Sequence, residues 1–219
     1  MQVIANDDTA YLNKAAVRTV IWVVALYVLW TGAWVLERAL EPRLPWFATA
    51  GGSFVYWTVM KLAVWVAPAL LLLRPPVISV RRRALLWGSA LGLLTGLMAL
   101  AGRIIGHQPL FRLSPSWALV NAVAVAPVVE EIAFRGALLP ALLKRYRFAV
   151  ANSITALLFL GAHLPGWYFQ GRLRPMLTAP AGGALSIFLI GLLFGWAAYR
   201  GKSISASILA HSLNNFFNA

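Results

Sequence analysis

The chain contains no cysteine, and only six of its 219 residues are acidic, against nineteen Lys and Arg. Without cysteine there are no disulfides, thiolate nucleophiles or Cys-ligated metals. Both aspartates, Asp7 and Asp8, precede the first apolar run, which excludes an intramembrane aspartyl dyad. Neither an H-E-x-x-H zinc signature nor a G-x-S-x-G or G-x-S-G serine motif occurs. Internal repeats, low-complexity linkers and long polar stretches are also missing, so a single integral-membrane domain over 1–219 is expected.

What is present is apolar: 61% of residues are hydrophobic and the mean hydropathy is +0.76, well above the roughly half-apolar average of soluble domains. Seven apolar segments stand out, near 17–36, 50–73, 84–101, 117–143, 148–166, 184–199 and 203–217. No β-barrel alternation appears, and backbone in lipid must satisfy its own hydrogen bonds, so each segment is expected to be a helix. The last two are short, which leaves seven or eight helices open, or a re-entrant end. The first run is too long for a signal-peptide core and lacks an A-x-A site, so it reads as a retained helix.

The formal charge of +13 sits mainly in connections such as "RPPVISVRRR" and "KRYR". Topology and anionic headgroups explain it without nucleic acid. Lys14, Arg18, Arg74, Arg81, Arg82, Arg83, Lys144, Arg145, Arg147, Arg200 and Lys202 fall on one side of the alternation, and Arg38, Arg43, Arg103, Arg112, Arg172 and Arg174 on the other. This bias puts the N-terminus in the cytoplasm of a multi-pass protein, expected in a bacterial plasma membrane, and with seven spans the C-terminus outside.

Gly88, Gly92 and Gly96 in the third segment, and Gly191 and Gly195 in the sixth, have the four-residue spacing of close helix packing. Of the ten Trp, those near segment ends, including Trp46, Trp117 and Trp167, fit interfacial belts. Lys61, inside the second segment, reads as snorkelling or locally partnered.

The stretch "APVVEEIAFRGALLP" breaks the pattern by placing Glu130, Glu131 and Arg135 in an apolar run. Each costs roughly 2.5–3.5 kcal/mol at a helix centre, so the three must pair or face a polar interior. Glu131 and Arg135 are four residues apart and share a face, whereas Glu130 is turned about 100° away. Glu131 is therefore expected to pair with Arg135, leaving Glu130 as the spare carboxylate, free to act as a general base.

Two further pairs at four-residue spacing, Phe159 with His163 and His211 with Asn215, lie in later segments. His107 sits in a polar connection and receives no role. A carboxylate to activate water, a His to orient it, and His and Asn donors suffice for amide hydrolysis. The same residues also supply a His₂Glu zinc set.

In order, E-E-x-x-x-R, F-x-x-x-H and H-x-x-x-N resemble the motifs of the CPBP (Abi) family, which includes CAAX prenyl endopeptidases and bacteriocin-processing or immunity proteins. The region carrying them is 117–217. The resemblance implies an all-α, polytopic bundle with a buried polar catalytic cavity. It implies that Glu130 activates water with help from His163, that His211 and Asn215 form the oxyanion site, and that Glu131, Arg135 and Phe159 support them. Asn215 stands where many members have Asp. The implied activity is glutamic intramembrane proteolysis with no required metal or other cofactor. The expected substrate is a peptide or protein, lipidated or membrane-associated. A non-catalytic immunity or scaffold protein of the same fold is the alternative. The connection Leu164 to Gly183 is expected to re-enter the membrane in part and to border the substrate entrance.

Overall fold

The computed structural model describes residues 3–73, 78–107, 109, 116–179 and 181–218, with side chains described from Lys14 onward. Arg74 and Arg112, used above in the charge bias, lie outside these residues. Every regular element among them is helical. Eight helices follow in order: α1 (Val3–Leu40), α2 (Ala50–Leu72), α3 (Arg82–Ile105), α4 (Trp117–Leu143), α5 (Phe148–Phe169), α6 (Leu173–Thr178), α7 (Ala184–Gly201) and α8 (Ile204–Asn218).

All but α6 and α8 are long and apolar enough to cross a membrane, so this is a multi-pass membrane protein with six candidate spans. The seventh expected segment, α8, has fifteen residues and a length of about 22 Å, short of the roughly 30 Å hydrocarbon core. It packs along α3 inside the bundle. The polarity of the molecule is inside-out. Val20, Ile21, Val24 and Val28 on α1 are exposed, while Lys61, Glu130, Glu131, Arg135 and His211 are buried.

Proline shapes the two helices that carry the site. Leu62–Val66 in α2, and Asn121–Val125 and Ile132–Leu138 in α4, are π-helical, and each ends two residues before a proline: Pro68, Pro127 and Pro140. A proline has no N–H for the fourth carbonyl back, and its ring crowds that carbonyl. Widening the preceding turn avoids the clash, and the backbone bonds shift to five residues, as from Ala126 N to Asn121 O. Glu130 and Glu131 lie between the two widened turns of α4.

Small residues set the packing on the other side of the site. The glycines of α3 face α8, where a methyl group added at Gly92 would come within 2.8 Å of Leu213. On α7, a Cβ at Gly195 would collide with Asn152 Oδ1 of α5.

The tryptophans depart from the expected belt. Trp46 and Trp117 are exposed as anticipated, but Trp167 is buried, and Trp22, Trp30, Trp34 and Trp65 form much of the core between α1 and α2. Helix α1 is tied to α5 by hydrogen bonds, one of them from Trp30 Nε1 to Ala162 O at 2.9 Å. That carbonyl lies at the break in α5, beside His163.

Candidate active site

Helix α4 brings its three ionisable side chains, Glu130, Glu131 and Arg135, into the bundle. Arg135 Nη1 donates to Glu131 Oε1 at 3.0 Å, the i,i+4 contact expected from spacing, and both side chains are fully buried. Arg135 Nη2 donates to Gly191 O of α7 at 2.7 Å, and its guanidinium carbon lies 4.6 Å from the Phe159 ring centre. Phe159 thus holds one face of the cation.

Glu130 is not the unpaired carboxylate that the helix-face reading expected. Lys61 Nζ of α2 lies 3.2 Å from Glu130 Oε1, with both side chains about nine-tenths buried. Burying either charge alone would be far more costly than burying the pair. Lys61 is therefore locally partnered, across helices, and belongs to the site. Spacing does not reveal this contact because the partners are 69 residues apart. The signal that was available is an ammonium mid-helix in a chain with so few acids.

His211 of α8 joins the two glutamates. Its Nδ1 is 3.0 Å from Glu131 Oε1 and its Nε2 is 3.9 Å from Glu130 Oε2. The Phe194 ring stacks on the imidazole with centroids 4.5 Å apart. His163, at the break in α5, is oriented differently: Nδ1 lies 2.9 Å from Phe159 O. A carbonyl oxygen can only accept, so Nδ1 carries the proton and the neutral ring leaves Nε2 as an acceptor. That suits it to receive a hydrogen bond from water.

A cavity of about 290 Å³ collects these groups. Lys61, Glu130 and His163 line it with Asn121, Gln170 and a wall of Trp30, Trp34, Trp57, Trp65 and Trp167. Trp34 Nε1, Trp65 Nε1 and Asn121 Oδ1 are buried without a hydrogen-bond partner among the described residues, and all three residues line this cavity. An apolar wall with a few unsatisfied polar groups is the character of a binding cleft for a partly polar molecule. Gly166, Trp167 and Gln170 also line it, which places the start of the Leu164–Gly183 connection at its edge.

His211 and Asn215 are not brought to the cavity lining. Asn215 Nδ2 donates to Ala122 O at 2.8 Å, and Asn215 Oδ1 accepts from Asn214 at 3.1 Å. Asn215 thus holds a carbonyl in the widened turn of α4 that carries Asn121. Sequence reasoning missed Asn121, an amide inside an apolar segment, because it belongs to none of the three motifs. No three His or Glu side chains among the described residues converge as a metal-binding cluster.

Residues 112–217 match the family model described as type II CAAX prenyl endopeptidase Rce1-like. No curated protein and no solved structure matches the chain.

Proposed function

We propose that the chain, whose residues 112–217 match the type II CAAX prenyl endopeptidase Rce1-like family model, is a member of that family and hydrolyses a peptide bond inside the membrane with Glu130 as general base. The observation that carries this reading is the meeting of Glu130 and His163, from different helices, in one cavity with unsatisfied polar groups. A water held between them gives its proton to Glu130 while His163 Nε2 accepts its second hydrogen and fixes its lone pair toward the scissile carbonyl. The proton then passes from Glu130 to the leaving amine.

On substrate binding, negative charge developing on the carbonyl oxygen would be met from the α8 side, which lies behind the cavity lining at rest. One hydrogen of the Asn215 amide remains after its bond to Ala122, and His211 Nε2 lies 3.9 Å from Glu130 Oε2. Glu131 and Arg135 hold His211 in place. Lys61 holds Glu130 Oε1 at rest and must yield part of that contact when water is activated. The tryptophan wall supplies apolar surface for a lipidated or membrane-associated peptide. The orientation we propose, with the N-terminus cytoplasmic, puts the ends of α1 and α5 that border this cavity on the opposite face.

Incubating membranes containing wild type, Glu130→Gln or His163→Ala and comparing the released peptides tests the proposal. Loss of cleavage in both variants, with normal accumulation of the protein, is expected; unchanged cleavage in both would overturn it. A chelator added to the wild-type reaction should leave cleavage intact. The Lys61–Glu130 ion pair favours a second reading, in which the carboxylate is structural and the protein acts by binding, as in immunity. Full immunity conferred by Glu130→Gln would support that reading instead.

A further inference from the structure

A second cavity, of about 510 Å³, opens at the other end of α4. Arg83, Arg200 and Lys202 line it beside apolar Leu139, Pro140 and Leu143, and Arg135 reaches it from the interior. We propose that this cavity binds a phosphate group, carried either by an anionic phospholipid or as the free anion.

Charge is the first argument. Four cations surround one space, and the four glutamates with described side chains leave it almost unopposed. Glu37 and Glu41 sit near the far end of α1, Glu130 is paired with Lys61, and Glu131 is shared between Arg135 and His211. Like charges lining one space repel one another, and an anion between them offsets that repulsion.

The second argument is independent of the surface charges. Arg135 is 2% exposed, and its Nε has no hydrogen-bond partner among the described residues, although Nη1 and Nη2 are both engaged. A buried guanidinium N–H without an acceptor is costly, and a phosphate oxygen at the floor of the cavity would satisfy it.

Local geometry presents the remaining donors. Arg83 Nε is bonded to Arg200 O at the end of α7, which ties the start of α3 to that helix and leaves the rest of the guanidinium fork open. The Arg200 guanidinium carbon lies 4.8 Å from the Trp87 ring centre, which fixes its direction. Lys202 takes a left-handed backbone conformation, with φ of 52°, at the turn into α8. Glycine would adopt that conformation freely, whereas lysine does so under strain. The apolar wall formed by Leu139 and Leu143 suits the glycerol and upper acyl region of a lipid.

The test uses the purified full chain in neutral detergent, with retention of phosphatidylglycerol and phosphatidylcholine measured by native mass spectrometry. Wild type should hold one phosphatidylglycerol at least tenfold more tightly than phosphatidylcholine. The double variant Arg200→Gln/Lys202→Gln should lose that preference. The control Arg81→Gln/Arg82→Gln removes the same charge from exposed residues outside the cavity and should keep it. Displacement of phosphatidylglycerol by millimolar inorganic phosphate would assign the site to the free anion, and resistance to displacement would assign it to the lipid. Two results would overturn the proposal: equal retention of both lipids together with no phosphate binding, or equal weakening by both double variants. Thermal unfolding of each variant, unchanged from wild type, shows that the fold is intact.

Discussion

The two cavities meet the ends of the same helix with opposite chemistry. One is walled by tryptophan and holds Glu130 beside Lys61; the other is basic and lined by no carboxylate among the described residues. Arg135 stands between them, bound to Glu131 on one side and lining the basic cavity on the other. The contrast teaches that buried charge is matched locally inside the bundle, Arg135 included, whereas Arg83, Arg200 and Lys202, with no carboxylate partner among the described residues, stay exposed at the basic end. Low dielectric enforces the first arrangement, and water or a headgroup permits the second.

A double dissociation puts the largest effect on that contrast. Glu130→Gln is expected to lower cleavage by about 10³-fold or more while leaving lipid retention unchanged, with activity and native mass spectrometry measured on one preparation. Simultaneous loss of both would mean that the two cavities act as one site.

Next in size is the oxyanion side. Asn215→Ala should lower kcat by about 100-fold with a smaller change in KM. Asn121→Ala should cost less, and an equal or greater loss of kcat would transfer the oxyanion role to Asn121.

Local matching of charge can be tested through stability. Lys61→Met leaves Glu130 buried without its partner and should destabilise the protein by about 3–5 kcal/mol. The double variant Lys61→Met/Glu130→Gln should recover most of this, read as Tm in detergent. No recovery would show that the ion pair is incidental.

The smallest effect is expected away from both cavities. Gly195→Val drives side-chain atoms into Asn152 at the α5–α7 contact, and overpacking of this kind costs about 1–3 kcal/mol. Cleavage per folded molecule should be unchanged.

Much of the fold was legible in the sequence because lipid imposes a simple rule: an apolar run must hydrogen-bond its own backbone, and only a helix does so. The segment limits at 50–73 and 117–143 fall within a residue of α2 and α4 for that reason. The short α8 was harder to place, since hydropathy reports apolarity but not whether it faces lipid or other helices. The tryptophans show the same gap. Proximity to a segment end suggested an interface for Trp167, whereas packing turned it into the site.

Within the site, the sequence by itself determined whatever depends on helical periodicity: the Glu131–Arg135 pair, the shared face of Phe159 and His163, and the expense of charges in an apolar run. Only the tertiary structure decided which charge faces which across helices. It paired Lys61 with Glu130, set His211 between the two glutamates, and turned Asn215 to the Ala122 carbonyl. The physical reason is range. Periodicity fixes directions around one helix axis within a turn or two, whereas partners 69 or 80 residues apart are chosen by how whole helices pack.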